Sequence, residues 1–134
     1  MAQRMHNQKP ITGTLTAGAT TTTGAINLSS LGADGYFSIQ VLLTGDGTLK
    51  IEYMISNVTN ETGGPPLDAQ FLTPTGASDI ITAHTKTSGP GSDGLDLYQF
   101  PGTGEPIFGK WLKLKLTETG GANTVTYTIY DNIQ

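Results

Sequence analysis

Apolar and polar residues alternate strictly along two stretches of this chain. Phe37 to Asn57 reads FSIQVLLTGDGTLKIEYMISN, and Trp111 to Asn132 reads WLKLKLTETGGANTVTYTIYDN. Each run opens on an aromatic, turns at a Thr- and Gly-containing segment, and resumes as a second alternating run rich in Tyr and Ile. Period-two alternation on both sides of a short Gly turn predicts a β-hairpin with one face buried. In the first unit, Phe37, Ile39, Val41 and Leu43 share one face, and Leu49, Ile51, Tyr53 and Ile55 share another. In the second, Leu112, Leu114 and Leu116 oppose Val125, Tyr127 and Ile129. Because strand faces alternate, all four sets can enter one core. Ile39 and Val41 are therefore expected inside, and Leu42 and Tyr36 nearer to solvent.

The rest of the chain adds shorter strands. Ile11–Thr16 and Thr22–Leu28 are Thr-rich and separated by a turn at Ala17–Gly18. Gln70–Thr73 is expected to be a short strand closed by Pro74, Asp79–Thr85 another, and Leu97–Phe100 a third, stopped by Pro101. Pro cannot donate to a ladder, so no central strand runs through Gly63-Gly64-Pro65-Pro66. The stretch TSGPGSDGLD, residues 87 to 96, has the lowest strand propensity and reads as a surface loop. Its part from Ser88 to Asp96 is expected to be mobile or held by a partner. No stretch carries a 3.6-residue apolar period. About eight short strands with turns every eight to twelve residues predict an all-β antiparallel sandwich, jelly-roll-like, over residues 11–134. Residues 1–10 lack period and read as a flexible N-terminal arm.

Composition narrows the functional classes. The chain has 134 residues, one domain by length, with 13% charged residues, about half the usual fraction. It holds 18 Gly, and Thr is roughly one residue in six, against a typical composition led by Leu and Ala. Thr suits an outer strand face, where its branched stem lies flat and its hydroxyl meets water. A surface of hydroxyls and amides also suits burial against other subunits. The net charge of −4 argues against nucleic acid or an anionic membrane as partner. There is no cysteine, so neither disulfide nor thiolate site. The first residues lack the apolar core of a signal peptide, which predicts a cytosolic product.

Catalytic chemistry finds little to build on. His6 lies in the arm, and His84 reads as a polar residue on a solvent face. No Gly-x-Ser-x-Gly elbow occurs, and TGDGTLK lacks the Lys-Ser/Thr ending of a phosphate loop. Glu52, Glu105 and Glu118 are scattered and read as solvated carboxylates. Ser92-Asp93-Gly94-Leu95-Asp96 lacks the dense acids of a calcium loop. No catalytic residue, cofactor site or metal site is therefore assigned. The one surface strip with specificity is Lys110–Lys115: with the leucines inward, Trp111, Lys113 and Lys115 point outward as a possible interaction surface. Two readings of Trp111 remain open, a hot spot or sugar-stacking platform, and a lid over the sandwich end with Phe108.

Three segments, Lys50-Ile51-Glu52-Tyr53 with Ser56-Asn57, Asp96-Leu97-Tyr98-Gln99-Phe100, and Trp111-Leu112-Lys113-Leu114, follow one another at intervals. In this the chain, from Tyr36 onward, resembles small β-sandwich structural proteins of tailed bacteriophages and prophages. The resemblance implies a non-enzymatic virion component: a capsid decoration, head fibre or tail accessory protein assembled in the bacterial cytoplasm. Its partners would be itself, as a homo-oligomer with a trimer preferred, and a phage shell or tail protein. The alternative is a carbohydrate-binding module using Trp111 with Tyr98 or Tyr36 as stacking platforms.

Overall fold

Alternation commits one face of a strand to the core without choosing its hydrogen-bonding neighbours, and here the neighbours lie far apart in sequence. The computed structural model describes residues 9–28, 37–60, 62–100 and 109–133. Apart from Lys9 and Pro10, both exposed, the expected arm lies outside the described residues. Nine strands follow in order: β1 (Ile11–Thr16), β2 (Thr20–Thr22), β3 (Ile26–Asn27), β4 (Phe37–Gly45), β5 (Leu49–Ser56), β6 (Ile81–His84), β7 (Leu95–Phe100), β8 (Trp111–Glu118) and β9 (Thr124–Ile133). They form two antiparallel sheets, one ordered β1-β9-β4-β7 and the other β2-β8-β5-β6, with β3 also on β8. The chain changes sheet at every connection except β2–β3 and β5–β6, which is the two-sheet jelly roll.

The two expected hairpins are not hairpins. β4 pairs with β9 and β7, whereas β5 pairs with β8 and β6. Each strand–turn–strand unit is thus an arch whose legs lie in opposite sheets, and the two arches interlock. Hairpin and arch leave the same alternation in the sequence, because both bury one face of each leg. The turns show how the ladder is left. Gly45 has φ +96°, and a Cβ there would lie 2.3 Å from the Thr124 carbonyl oxygen. The Gly47 N–H donates to Thr124 O (3.2 Å), and the Thr119 N–H donates to Thr48 O (2.9 Å). The two turns bond to each other instead of closing their own ladders.

The core is the space between the arches. Ile39, Val41 and Leu43 of β4 and Val125 and Ile129 of β9 are fully buried, as are Leu49, Ile51, Leu112, Leu114 and Leu116 from the other sheet. Leu42 is half-buried, on the outward side as alternation requires, and Tyr36 lies outside the described residues.

Several shorter elements differ from expectation. The edge expected over Thr22–Leu28 is broken between β2 and β3. Thr23 bridges the break: its N–H donates to Leu114 O (2.9 Å) and its Oγ1 accepts from the Leu114 N–H (3.0 Å). The Gln70–Thr73 strand is replaced by one 3-10 turn, Asp68–Gln70, followed by a single bridge from Leu72 to Ile55. The Leu67 N–H donates to Gln70 Oε1 (2.8 Å), a local bond that competes with a ladder. β7 starts at Leu95, two residues early. The loop before it is held by the chain itself: the Gly94 N–H donates to Ser88 O (3.0 Å), and Gly94 O accepts from the Leu43 N–H (3.1 Å).

Candidate functional site

The Trp111–Lys115 strip sits on the outer face of the β2-β8-β5-β6 sheet, as alternation predicts, but much of it is covered. Lys113 is buried on that face because the segment around Phe71 folds over it. Its ammonium stands 4.9 Å from the Phe71 ring centroid and pairs with the Asp68 carboxylate. Lys113 thus fastens the chain to itself and does not serve as a free contact residue. Lys115 is half-buried in the same sheet, opposite Glu52 across β5–β8. Lys50 lies 3.6 Å from Glu52 and 3.7 Å from Asp79. This face is a lattice of paired charges.

Trp111 is half-buried and borders a cleft of about 380 Å³ lined also by Asn27, Thr59, Asn60, Gly63, Gly64, Gly109 and Lys110. Phe108, its expected companion as a lid, lies outside the described residues. Most polar groups of the cleft are already engaged. The Asn60 amide donates to Pro65 O, and its Oδ1 accepts from Thr62. The Lys110 ammonium donates to Thr59 Oγ1 (2.8 Å).

The outer face of the β1-β9-β4-β7 sheet has a different character. Register places Leu97, Gln40 and Tyr130 in one row across β7, β4 and β9. The next row is Leu95, Leu42, Thr128 and Thr12, and the one after joins Thr44, Thr126 and Thr14. Thr14 and Thr126 share a hydroxyl hydrogen bond of 3.1 Å. Among the described residues, no Asp, Glu, Lys or Arg of these four strands points outward. Asp96 and Asp131 oppose the inward-facing Val41 and Ile39. Of the apolar members, Leu97 is 64% and Tyr130 48% exposed, while Leu42 and Leu95 are half-buried. The scarcity of charge is legible in the sequence, but it is the pairing of β1 with β9 that gathers so many threonines on one uncharged face.

Two polar side chains expected in solvent are buried. His84, fully enclosed, bridges the sheets. Its Nε2 lies 2.8 Å from Gly94 O, an acceptor only, so Nε2 carries the proton. Nδ1 then accepts from the Tyr98 hydroxyl at 2.8 Å. Burial pushes the Tyr98 phenol up to about 12, with the Asp96 carboxylate adding to the effect. Tyr98 faces inward beside Ile39, which removes it as a stacking platform; Tyr36 lies outside the described residues.

Glu118 is 1% exposed at the end of β8. Its carboxylate accepts from Gly120 N–H (2.6 Å), Gly121 N–H (2.8 Å) and Thr48 N–H (3.4 Å), holding both arch turns. Burial alone raises its proton affinity, yet these backbone donors, with Gly18, outweigh burial and hold the carboxyl below its usual range. The signal was present in sequence as an acid just before a Gly-Gly turn.

Among the described residues no facing pair of acids forms. Glu52 points outward from β5, Glu118 lies inside the far end, and Glu105 is outside the described residues. Asp93 and Asp96 each accept from a nearby backbone N–H. Among the described residues no group of three or more His, Asp or Glu side chains could hold a metal ion. Among them, too, no helix is long and apolar enough to cross a membrane. No family model, curated protein or solved structure matches the chain.

Proposed function

We propose that this chain is a non-enzymatic structural component of a phage or prophage particle, a capsid decoration, head fibre or tail accessory protein, acting through self-assembly. The observation that carries the assembly part is the uncharged outer face of the β1-β9-β4-β7 sheet, which contrasts with the ion-paired face opposite. Such a face can be buried against protein without leaving a charge unpaired, and its hydroxyls keep the lone subunit wettable. The phage context rests on the resemblance of the Lys50–Asn57, Asp96–Phe100 and Trp111–Leu114 segments. Jelly rolls serve in both capsid and lectin domains, so the fold agrees with this reading without selecting it. Light scattering on the purified chain tests the proposal: an oligomer is expected, and a strict monomer at high micromolar concentration overturns it.

The cleft beside Trp111 favours a second reading, carbohydrate binding, in which the indole stacks on a sugar ring. Titration with oligosaccharides tests it. Saturable binding that Trp111→Ala abolishes would support it, and no binding at millimolar sugar would remove it.

A further inference from the structure

We infer that the uncharged outer face of the β1-β9-β4-β7 sheet packs against the same face of a second copy of this chain, about a two-fold axis. The inference rests on the assembly reading above and specifies its interface.

Symmetry favours a second copy as the occupant. In a two-fold contact every residue near the axis meets its own counterpart, so any charge there meets a like charge. A self-docking face therefore has to be uncharged near its centre. The row of Leu97, Gln40 and Tyr130 and the neighbouring threonines meet that condition, whereas the opposite face, with Lys50, Glu52 and Lys115, does not. A partner with a charged surface would lose hydration here and find no counter-charge.

The area of the face favours the same occupant. Strands lie about 4.8 Å apart, and side chains on one face recur about every 6.8 Å along a strand, so these four strands present on the order of 500 Å². Two such faces together reach about 1,000 Å², the size at which specific interfaces begin. Any smaller patch on this sheet would fall short. Aligned packing of sheet on sheet, with the aliphatic and aromatic side chains of one copy between the threonines of the other, is a standard arrangement for such faces. Tyr130 and Leu97, both exposed and separated by Gln40, supply the apolar centre of the contact.

A cyclic trimer, the assembly expected from sequence, would instead set this face against a different patch of the neighbouring subunit. Sedimentation equilibrium over a range of concentrations separates the two. The wild-type chain is expected to have the mass of two protomers. Leu97→Glu and Thr126→Glu, both at exposed positions, are each expected to weaken that association at least tenfold. Thr22→Glu, the same charge on the opposite sheet, is expected to leave it unchanged. Circular dichroism confirms folding, and Thr126→Glu carries the test if Leu97→Glu unfolds. A mass of three, or a dimer indifferent to both variants, overturns the face pairing and leaves assembly standing. A monomer throughout overturns both.

Discussion

His84 and Tyr98 form a polar link between the two sheets, and a double-mutant cycle measures what it contributes. Tyr98→Phe removes the hydroxyl that donates to His84 Nδ1, and among the described residues no other donor replaces it. A buried acceptor stranded in this way costs about 1–3 kcal/mol. His84→Leu is expected to cost less, because Gly94 O keeps the Leu43 N–H and the half-buried phenol can turn to water. With both replaced, no polar atom of the pair is left to desolvate. The double variant should therefore be more stable than the two single losses predict, by about 1 kcal/mol. Urea unfolding followed by tryptophan fluorescence, at one fixed protomer concentration, reads all four proteins; holding concentration constant removes the contribution of association. A Tyr98→Phe midpoint within error of wild type would refute the bridge. Strict additivity would show that the two rings are stable neighbours without being coupled.

Four further outcomes follow from the same geometry. Leu114→Ala, at the centre of the core, is expected to cost about 2–5 kcal/mol, whereas Leu72→Ala, exposed beside β5, should stay within about 0.5 kcal/mol; equal midpoints would refute the assigned core. Gly94→Ala places a Cβ 2.4 Å from Leu43 O at φ +82°, so it should lower the thermal midpoint by more than the removal of its φ freedom alone, about 1–2 kcal/mol. Glu118 has a lowered folded-state proton affinity, so its stabilisation is full above the ordinary carboxylate range and is lost as pH falls through its folded value. Glu118→Gln should flatten that acid limb in a pH series of unfolding midpoints. Tyr98 shows the opposite sign: its stabilisation is complete below pH 10 and fades toward about 12, so Tyr98→Phe should flatten the alkaline limb.

The alternating residues disclosed which side chains enter the core, and Ile39, Val41, Leu112, Leu114 and Leu116 are all where period two puts them. They did not disclose sheet membership. A strand records its buried face in sequence, but its edge partners are chosen by backbone groups that every residue carries alike. That is why two arches read as two hairpins. The polar sites failed for a different reason. His84 is buried by elements that follow it by ten residues or more, and Glu118 by the Thr48 turn as well as by its own Gly-Gly turn, whereas residue type alone argues for exposure. Lys113 was placed on the correct side of its strand, yet nothing local announced that Phe71 would cover it. The uncharged face needed the β1–β9 register, which joins residues more than a hundred positions apart.

The interlocked arches also set an order of events during synthesis. β9 lies between β1 and β4, so two of the three ladders of its sheet do not exist until β9 has been made. β5 likewise waits for β8 before it gains its long neighbour. Until then, among the described residues, the nascent chain holds the β5–β6 and β4–β7 pairings and the Ile55–Leu72 bridge, with apolar faces uncovered. Folding of the two sheets is therefore a late closure governed by distant contacts, slow for a domain of this size. Translation pauses before β8 should leave the yield unaffected, while removal of β9 should leave no partly folded remnant to recover.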